Sequence, residues 1–236
     1  WFAMNHRLST FFDGFSRVLN VYPFLLFLDL KESGQSIDSA LSQFRTLRAC
    51  ILCGGQSRRM GSDKAQLLHP RGGVWLTALV DQLLSLSLPV MVLSGHPAHG
   101  RLVAGRLNVS FVEEDRPWQG PLQAFARVLA EGPGQPLFVL PVDMPCLTVA
   151  VLQRLLNAWA TDSSCAAVAH DGTRCQPLLG IYPSGKPYQP ALLAQLDQGD
   201  RRWQHWLNGV PHRLIALPAP ALLNANRPQD LAGLDR

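Results

Sequence analysis

From Leu47 onward, short continuous apolar runs alternate with longer stretches whose apolar residues recur every three or four positions. Leu47-Arg48-Ala49-Cys50-Ile51, Val90-Met91-Val92-Leu93, Val109-Ser110-Phe111-Val112 and Leu137-Phe138-Val139-Leu140 are short apolar runs of the first kind, and each predicts a strand. Trp75–Leu88 is of the second kind: Leu76, Leu79, Val80, Leu83 and Leu84 fall on one side of a helix, and Pro89 stops it. Leu122–Ala130 and Val149–Trp159 predict two further helices, the first stopped by Gly132-Pro133-Gly134. Strands interleaved with helices predict an α/β fold with a parallel sheet covered on both faces. The pattern then changes. Ala166–His170 and Gln176–Tyr182 flank Asp171-Gly172, a hairpin signal that predicts an antiparallel addition beside the sheet. Pro190–Leu196 predicts a helix, and Pro228 opens a last one.

In such folds ligands sit at the carboxyl ends of the strands. A glycine-rich loop, Ser94, Asp115 and Asp143 all follow strand ends, which favours one shared site. The loop is Leu52-Cys53-Gly54-Gly55-Gln56-Ser57-Arg58-Arg59-Met60-Gly61-Ser62-Asp63-Lys64. Gly54 and Gly55 lack Cβ atoms, so the backbone can adopt positive φ and approach a ligand closely. Successive amides in such a turn bind anions. Arg58, Arg59 and Lys64 add positive charge, and arginine grips phosphate oxygens bidentately. The expected ligand is a polyphosphate. The loop is not a Walker A motif, because Gly61 is followed by Ser62-Asp63-Lys64, and it is not G-x-G-x-x-G. Asp143 stands between Pro141 and Pro145 at the end of an apolar strand. A carboxylate there must be solvated or bind something positive. Magnesium, which takes one or two carboxylates plus substrate phosphates, fits that need.

Composition narrows the picture little. With 47% apolar and 16% charged residues, the 236-residue chain fits a globular protein with a sizeable core. A net charge of +4, not gathered into runs, suits anionic small molecules and argues against nucleic acid. Five cysteines do not make a disulfide scaffold at this length, so a reduced, cytoplasmic chain is expected. Cys50-x-x-Cys53 lacks a second half to complete a metal site and reads as buried thiols.

Residues 1–46 are expected to form a loosely ordered extension of unknown role, with a short helix near Ile37–Arg45. Its apolar run Val21–Leu30 is shorter than the roughly 20 residues a membrane helix needs, so no membrane partner is expected. Because Met4 is the first methionine, one hypothesis is an over-extended translation start. A native amino terminus at or before Met4, found by sequencing the endogenous protein, would remove it.

The string Leu52-x-Gly54-Gly55-x-Ser57-x-Arg59-Met60-Gly61-x-Asp63-Lys64 resembles the signature loop of nucleotidyltransferases, in the form carried by molybdenum cofactor guanylyltransferases. The resemblance implies a Rossmann-like (GT-A-like) three-layer sandwich over residues 47–236, with a mostly parallel sheet. It implies that Leu52, Cys53, Gly54 and Gly55 lie near base and ribose, that Arg59 and Lys64 sit on the phosphates, and that Asp143, in a Val-Asp-x-Pro segment, binds Mg²⁺ and nucleotide. Asp115 would lie near the nucleotide, and Ser94 stands where many relatives carry Asn. Gly120-Pro121-Leu122-Gln123-Ala124 has alanine in place of the family's second glycine. For the acceptor the resemblance implies Arg174 with Gln176 and Pro177, Arg201 and Arg202 in Gly199-Asp200-Arg201-Arg202, and Asn224 and Asn226 in a segment where Arg227 replaces a helix-capping Thr.

The implied reaction moves GMP from GTP to molybdenum-loaded molybdopterin and releases pyrophosphate. Apo-molybdoenzymes, their chaperones and the molybdenum-insertion protein are the implied protein partners. Two alternatives stay open: a related transferase using CTP or a sugar-phosphate acceptor, and a non-catalytic carrier of the molybdenum cofactor.

Overall fold

The computed structural model describes residues 47–55, 60–70, 72–114, 119–131 and 135–231. The expected extension over 1–46 lies outside the described residues. Strands β1 (Arg48–Leu52), β2 (Val90–Ser94) and β4 (Leu137–Pro141) carry almost unbroken apolar sequence because both of their faces are covered. The edge strands β3 (Val109–Glu113) and β7 (His212–Ala216) alternate between more and less exposed positions instead. With β5 (Ala166–His170) and β6 (Cys175–Tyr182) they form one seven-stranded sheet in the order β3-β2-β1-β4-β6-β5-β7.

The sheet is parallel at β3-β2-β1-β4, as expected. The predicted hairpin is antiparallel, with Asp171 Oδ1 accepting from the amides of Thr173 and Arg174. It is not a simple edge addition, however. β6 pairs antiparallel with β4, and β7 extends the sheet beyond β5 as a parallel neighbour. A register shift at Val168/Ala169 bends the pair, and the Tyr182 hydroxyl donates to the carbonyl of Pro177.

Helices cover both faces. α1 (Trp75–Ser85), α2 (Pro97–Val103) and α4 (Val149–Thr161) bury Leu76, Val103 and Leu152 against Ile51, Val92 and Leu140. α3 (Pro121–Glu131), α5 (Tyr188–Asp197) and α6 (Trp203–Asn208) bury Phe125, Leu192 and Trp206 against Cys50, Leu93 and Val139. Fully burying one such aliphatic side chain contributes about 1.5–3 kcal/mol. Phe125, Tyr182, Trp203 and Trp206 form a ring cluster with centroids 4.8–6.0 Å apart. α2 follows β2 directly, and Pro97 occupies its first turn, where its fixed φ suits a helix. α1 ends at Ser85, ahead of Pro89, with Ser87 at φ 58°. No helix among the described residues is long and apolar enough to cross a membrane.

Candidate active site

The carboxyl ends of β1, β2, β3 and β4 meet at one rim. The Cys53 amide donates to the Leu93 carbonyl at 2.9 Å, and the Glu114 amide to the Ser94 carbonyl at 3.0 Å, so the ladder continues just past the strands. Beyond it opens a cleft of about 590 Å³. Leu52, Cys53, Gly54 and Gly55 line it. Lys64 and Asp143 do so too, and Glu114, Gly120, Ala124 and Leu178 complete it.

Three distant segments converge on Lys64. Its Nζ donates to Asp143 Oδ2 at 3.0 Å and to Asn226 Oδ1 at 2.7 Å. Lys64 opens a 3₁₀ turn, Lys64–Gln66, whose cap is Asp63: Oδ1 accepts from the Ala65 amide at 3.0 Å. Asp143 leaves β4 through Val142, and its own carbonyl accepts from the Ala225 amide at 2.9 Å. Asn226 is fixed by α7 (Pro228–Leu231): Asp230 Oδ2 accepts from the amides of Asn226 and Arg227 at 2.8 and 2.9 Å. That carboxylate supplies from inside the turn the cap that Arg227 cannot.

The glycines play different parts from those expected. Gly54 and Gly55 do not take left-handed φ. A Cβ on Gly54 would stand 2.1 Å from Glu114 Oε1, so a larger residue there would make the Glu114 side chain move aside. Left-handed backbone falls at Gly61 (φ +72°) and Gly120 (φ +95°). Burial pushes the Glu114 carboxyl up, against the lowering influence of Arg127 and His96. Burial, and then the charges of Asp63, Asp143 and Glu114, hold the Cys53 thiol well above its ordinary value, and burial pushes Cys50 to about 12. Both thiols are buried, packed into cores on opposite faces of the sheet.

Other expected site residues stand apart. Ser94 does not line the cleft; it is fully buried behind the loop, where its Oγ meets His99 Nδ1 at 2.8 Å and accepts from the His96 amide at 3.0 Å. Arg174 and Arg201 are exposed and not part of the cleft wall. Arg202 caps α6 and grips Asp200 with two nitrogens, at 2.9 and 2.7 Å; Arg202 and His205 together hold the Asp200 carboxyl far below its ordinary range. Asn224 donates to Gln176 Oε1 at 3.4 Å, two residues before the cleft residue Leu178 in β6. Arg59 and Asp115 lie outside the described residues. Sequence reasoning missed Glu114, Gly120, Leu178 and the capping role of Asp63. Glu114 was signalled only by its place at a strand end.

No group of three His, Cys, Asp or Glu residues among the described residues could enclose a cation. Asp143, a carboxylate whose ion pair among the described residues is with a lysine, beside a cleft, fits a magnesium ion that takes most of its ligands from substrate phosphates and water.

Residues 49–212 match the model of a family described as MobA-like NTP transferase domain. The chain is 35% identical over 194 residues to a probable molybdenum cofactor guanylyltransferase of Trichormus variabilis, an alignment covering 79% of this chain and 89% of that protein. It is 33% identical over 192 residues to one of Rhodopirellula baltica, covering 78% and 90%. Among solved structures it is similar to molybdopterin-guanine dinucleotide biosynthesis protein A from Archaeoglobus fulgidus, with TM-score 0.63, 18% identity and coverage of 80% and 96%. It is also similar to 4-diphosphocytidyl-2C-methyl-D-erythritol synthase from Anaerococcus prevotii, with TM-score 0.64, 8% identity and coverage of 82% and 97%. At such identities these two structures show the fold alone.

Proposed function

The chain belongs to the MobA-like NTP transferase family and is a nucleotidyltransferase, and from that premise we propose that it transfers GMP from GTP to the phosphate of molybdenum-loaded molybdopterin. The observation that carries this reading is the convergence of Lys64, Asp143 and Asn226 at one end of a cleft whose other end holds Glu114. Phosphates are repelled by a carboxylate and approach an ammonium group. The nucleotide therefore lies with base and ribose toward Glu114 and phosphates toward Lys64.

An acceptor phosphate oxygen attacks the α-phosphorus, the new P–O bond forms, and the bond to the bridging oxygen breaks to release pyrophosphate. Little covalent work falls to the protein, so positioning and charge neutralisation carry the rate. Lys64 turns from Asp143 and Asn226 toward the departing phosphates. Asp143 is the residue that would hold a magnesium ion, which when bound would supply neutralisation of phosphate charge. The acceptor would enter past Leu178, on the side of the cleft where Asn224 donates to Gln176 in β6.

The test is pyrophosphate release with Mg²⁺ and molybdenum-loaded molybdopterin, comparing GTP, CTP, ATP and UTP. Release with GTP alone is expected. Release with CTP alone would move the base assignment and keep the chemistry. Binding without release for every nucleotide would replace this reading with a sugar-phosphate acceptor or a carrier role.

A further inference from the structure

One buried side chain beneath the glycine loop has no part in the reaction just described. His99, on α2, is fully buried. Its Nε2 donates to Asp63 Oδ2 at 2.7 Å, and its Nδ1 meets Ser94 Oγ at 2.8 Å. Each partner leads to a different end of the nucleotide loop. Asp63 caps the turn that Lys64 opens, and Gln66 Nε2 shares the same Oδ2 at 2.8 Å. Ser94 Oγ lies 3.4 Å from the carbonyl of Cys53, where the chain leaves β1. A single imidazole thus joins the point where the loop departs to the point where it returns.

We propose that His99 is a positioning residue for nucleotidyl transfer, acting through Asp63 to fix where Lys64 stands. The inference rests on Lys64 serving the phosphates as described above. Burying an imidazole is costly unless both nitrogens are bonded, and a leucine would fill such a helix position at lower cost. What a leucine cannot do is hold the Asp63 carboxylate in one orientation. Asp63 Oδ1 can cap the Lys64 turn only while Oδ2 is held elsewhere. Misplacing a catalytic group by about 1 Å can cost about 10²-fold in rate.

Two conservative variants separate the arms of this bridge. Glutamine places its amide nitrogen near the position of Nε2 and keeps the bond to Asp63. Asparagine reaches only the position of Nδ1 and keeps the bond to Ser94. Steady-state pyrophosphate release, alongside thermal melts, is measured for His99→Gln, His99→Asn, His99→Leu and Lys64→Ala. We expect His99→Gln to stay within about threefold of wild type, and His99→Asn and His99→Leu to lose about 10- to 100-fold in kcat with a much smaller change in KM. Combining His99→Asn with Asp63→Asn should cost no more than Asp63→Asn alone, because both act through one carboxylate. Equal turnover for the Asn and Gln variants, or losses that multiply in the double variant, would overturn the proposal. So would losses that merely track the melting temperatures. Lys64→Ala at wild-type rate is a different failure: it would remove Lys64 from the chemistry, and the role of His99 with it.

Discussion

The two ends of the cleft are built by opposite means. At one end the ammonium of Lys64 is already satisfied by Asp143 and Asn226, residues 79 and 162 positions away in the chain. At the other a single carboxylate, Glu114, stands against Gly54, with room kept for it by the missing Cβ. The first end is a charge pair, and on the proposed reading it opens when a polyphosphate arrives. The second is an acceptor group held half-buried, its carboxyl pushed up by desolvation. A preformed pair stores groups in position without leaving either charge unpaired near apolar surroundings. A lone carboxylate can only accept hydrogen bonds, from ribose hydroxyls or from the N–H groups of a base. On the proposed reading, one end acts on charge that develops during reaction, and the other selects what binds.

The largest effects should come from the first end. Lys64→Ala and Asp143→Ala should each lower turnover by about 10²–10³-fold, the range seen when a preorganised charge is removed from a reacting centre. Both should remain folded, since the pair sits at the rim with side chains 12% and 24% exposed. Steady-state rates with circular dichroism melts check this. Near-normal turnover in either variant would dissolve the distinction between the ends.

An intermediate effect is expected at Glu114. Glu114→Ala should raise the nucleotide KM about tenfold, as for loss of a hydrogen bond to a charged group, and leave kcat within a few-fold. Glu114→Gln should weaken discrimination among the four nucleotides, because an amide offers donors where the carboxylate offers only acceptors. If kcat collapses while KM holds, Glu114 works on the reaction and the two ends are not divided as described.

How much of this was legible in the sequence follows the same division. Lys64 and Asp143 could be picked out because each belongs to a short local string, and Asn226 because it sits in another. That the loop and Asp143 share one site was legible from their strand ends; the contacts that seat Asp143 and Asn226 against Lys64, with the Ala225 amide on the Asp143 carbonyl, were not. Glu114 was one of three consecutive acidic residues, and only strand pairing decides which of them faces the cleft: Glu113 is exposed and Glu114 half-buried. His99 was hidden because its helix is short and begins among His96, Pro97 and Gly100, residues that read as breakers. The parallel half of the sheet was legible because strands buried on both faces must be continuously apolar. The insertion of β6 between β4 and β5 was not, because a hairpin signal fixes which strands pair with each other and says nothing of which neighbour they join.

The smallest effect expected concerns stability, at Asp63 beneath the Lys64 end. Burial alone would raise this carboxyl, but hydrogen bonds from Gln66, His99 and the Ala65 amide outweigh it and hold the group below its ordinary value. A carboxyl whose folded pKa lies below its unfolded one stabilises the fold above the unfolded value and loses that contribution as pH falls through the folded one. Asp63→Asn should therefore lower the melting temperature at pH 7 by about 2–4 °C, as for a loss of about 1 kcal/mol in a domain of this size. The gap between wild type and variant should narrow once pH drops below about 4, where an unfolded aspartate begins to take up its proton. Melts from pH 7 to pH 3 on both proteins read this directly. A gap that stays constant down to pH 3 would mean that Asp63 supports the turn by shape and not by charge. The Lys64 end would then be held in place as the opposite face of the sheet is, where Phe125, Tyr182, Trp203 and Trp206 pack ring against ring.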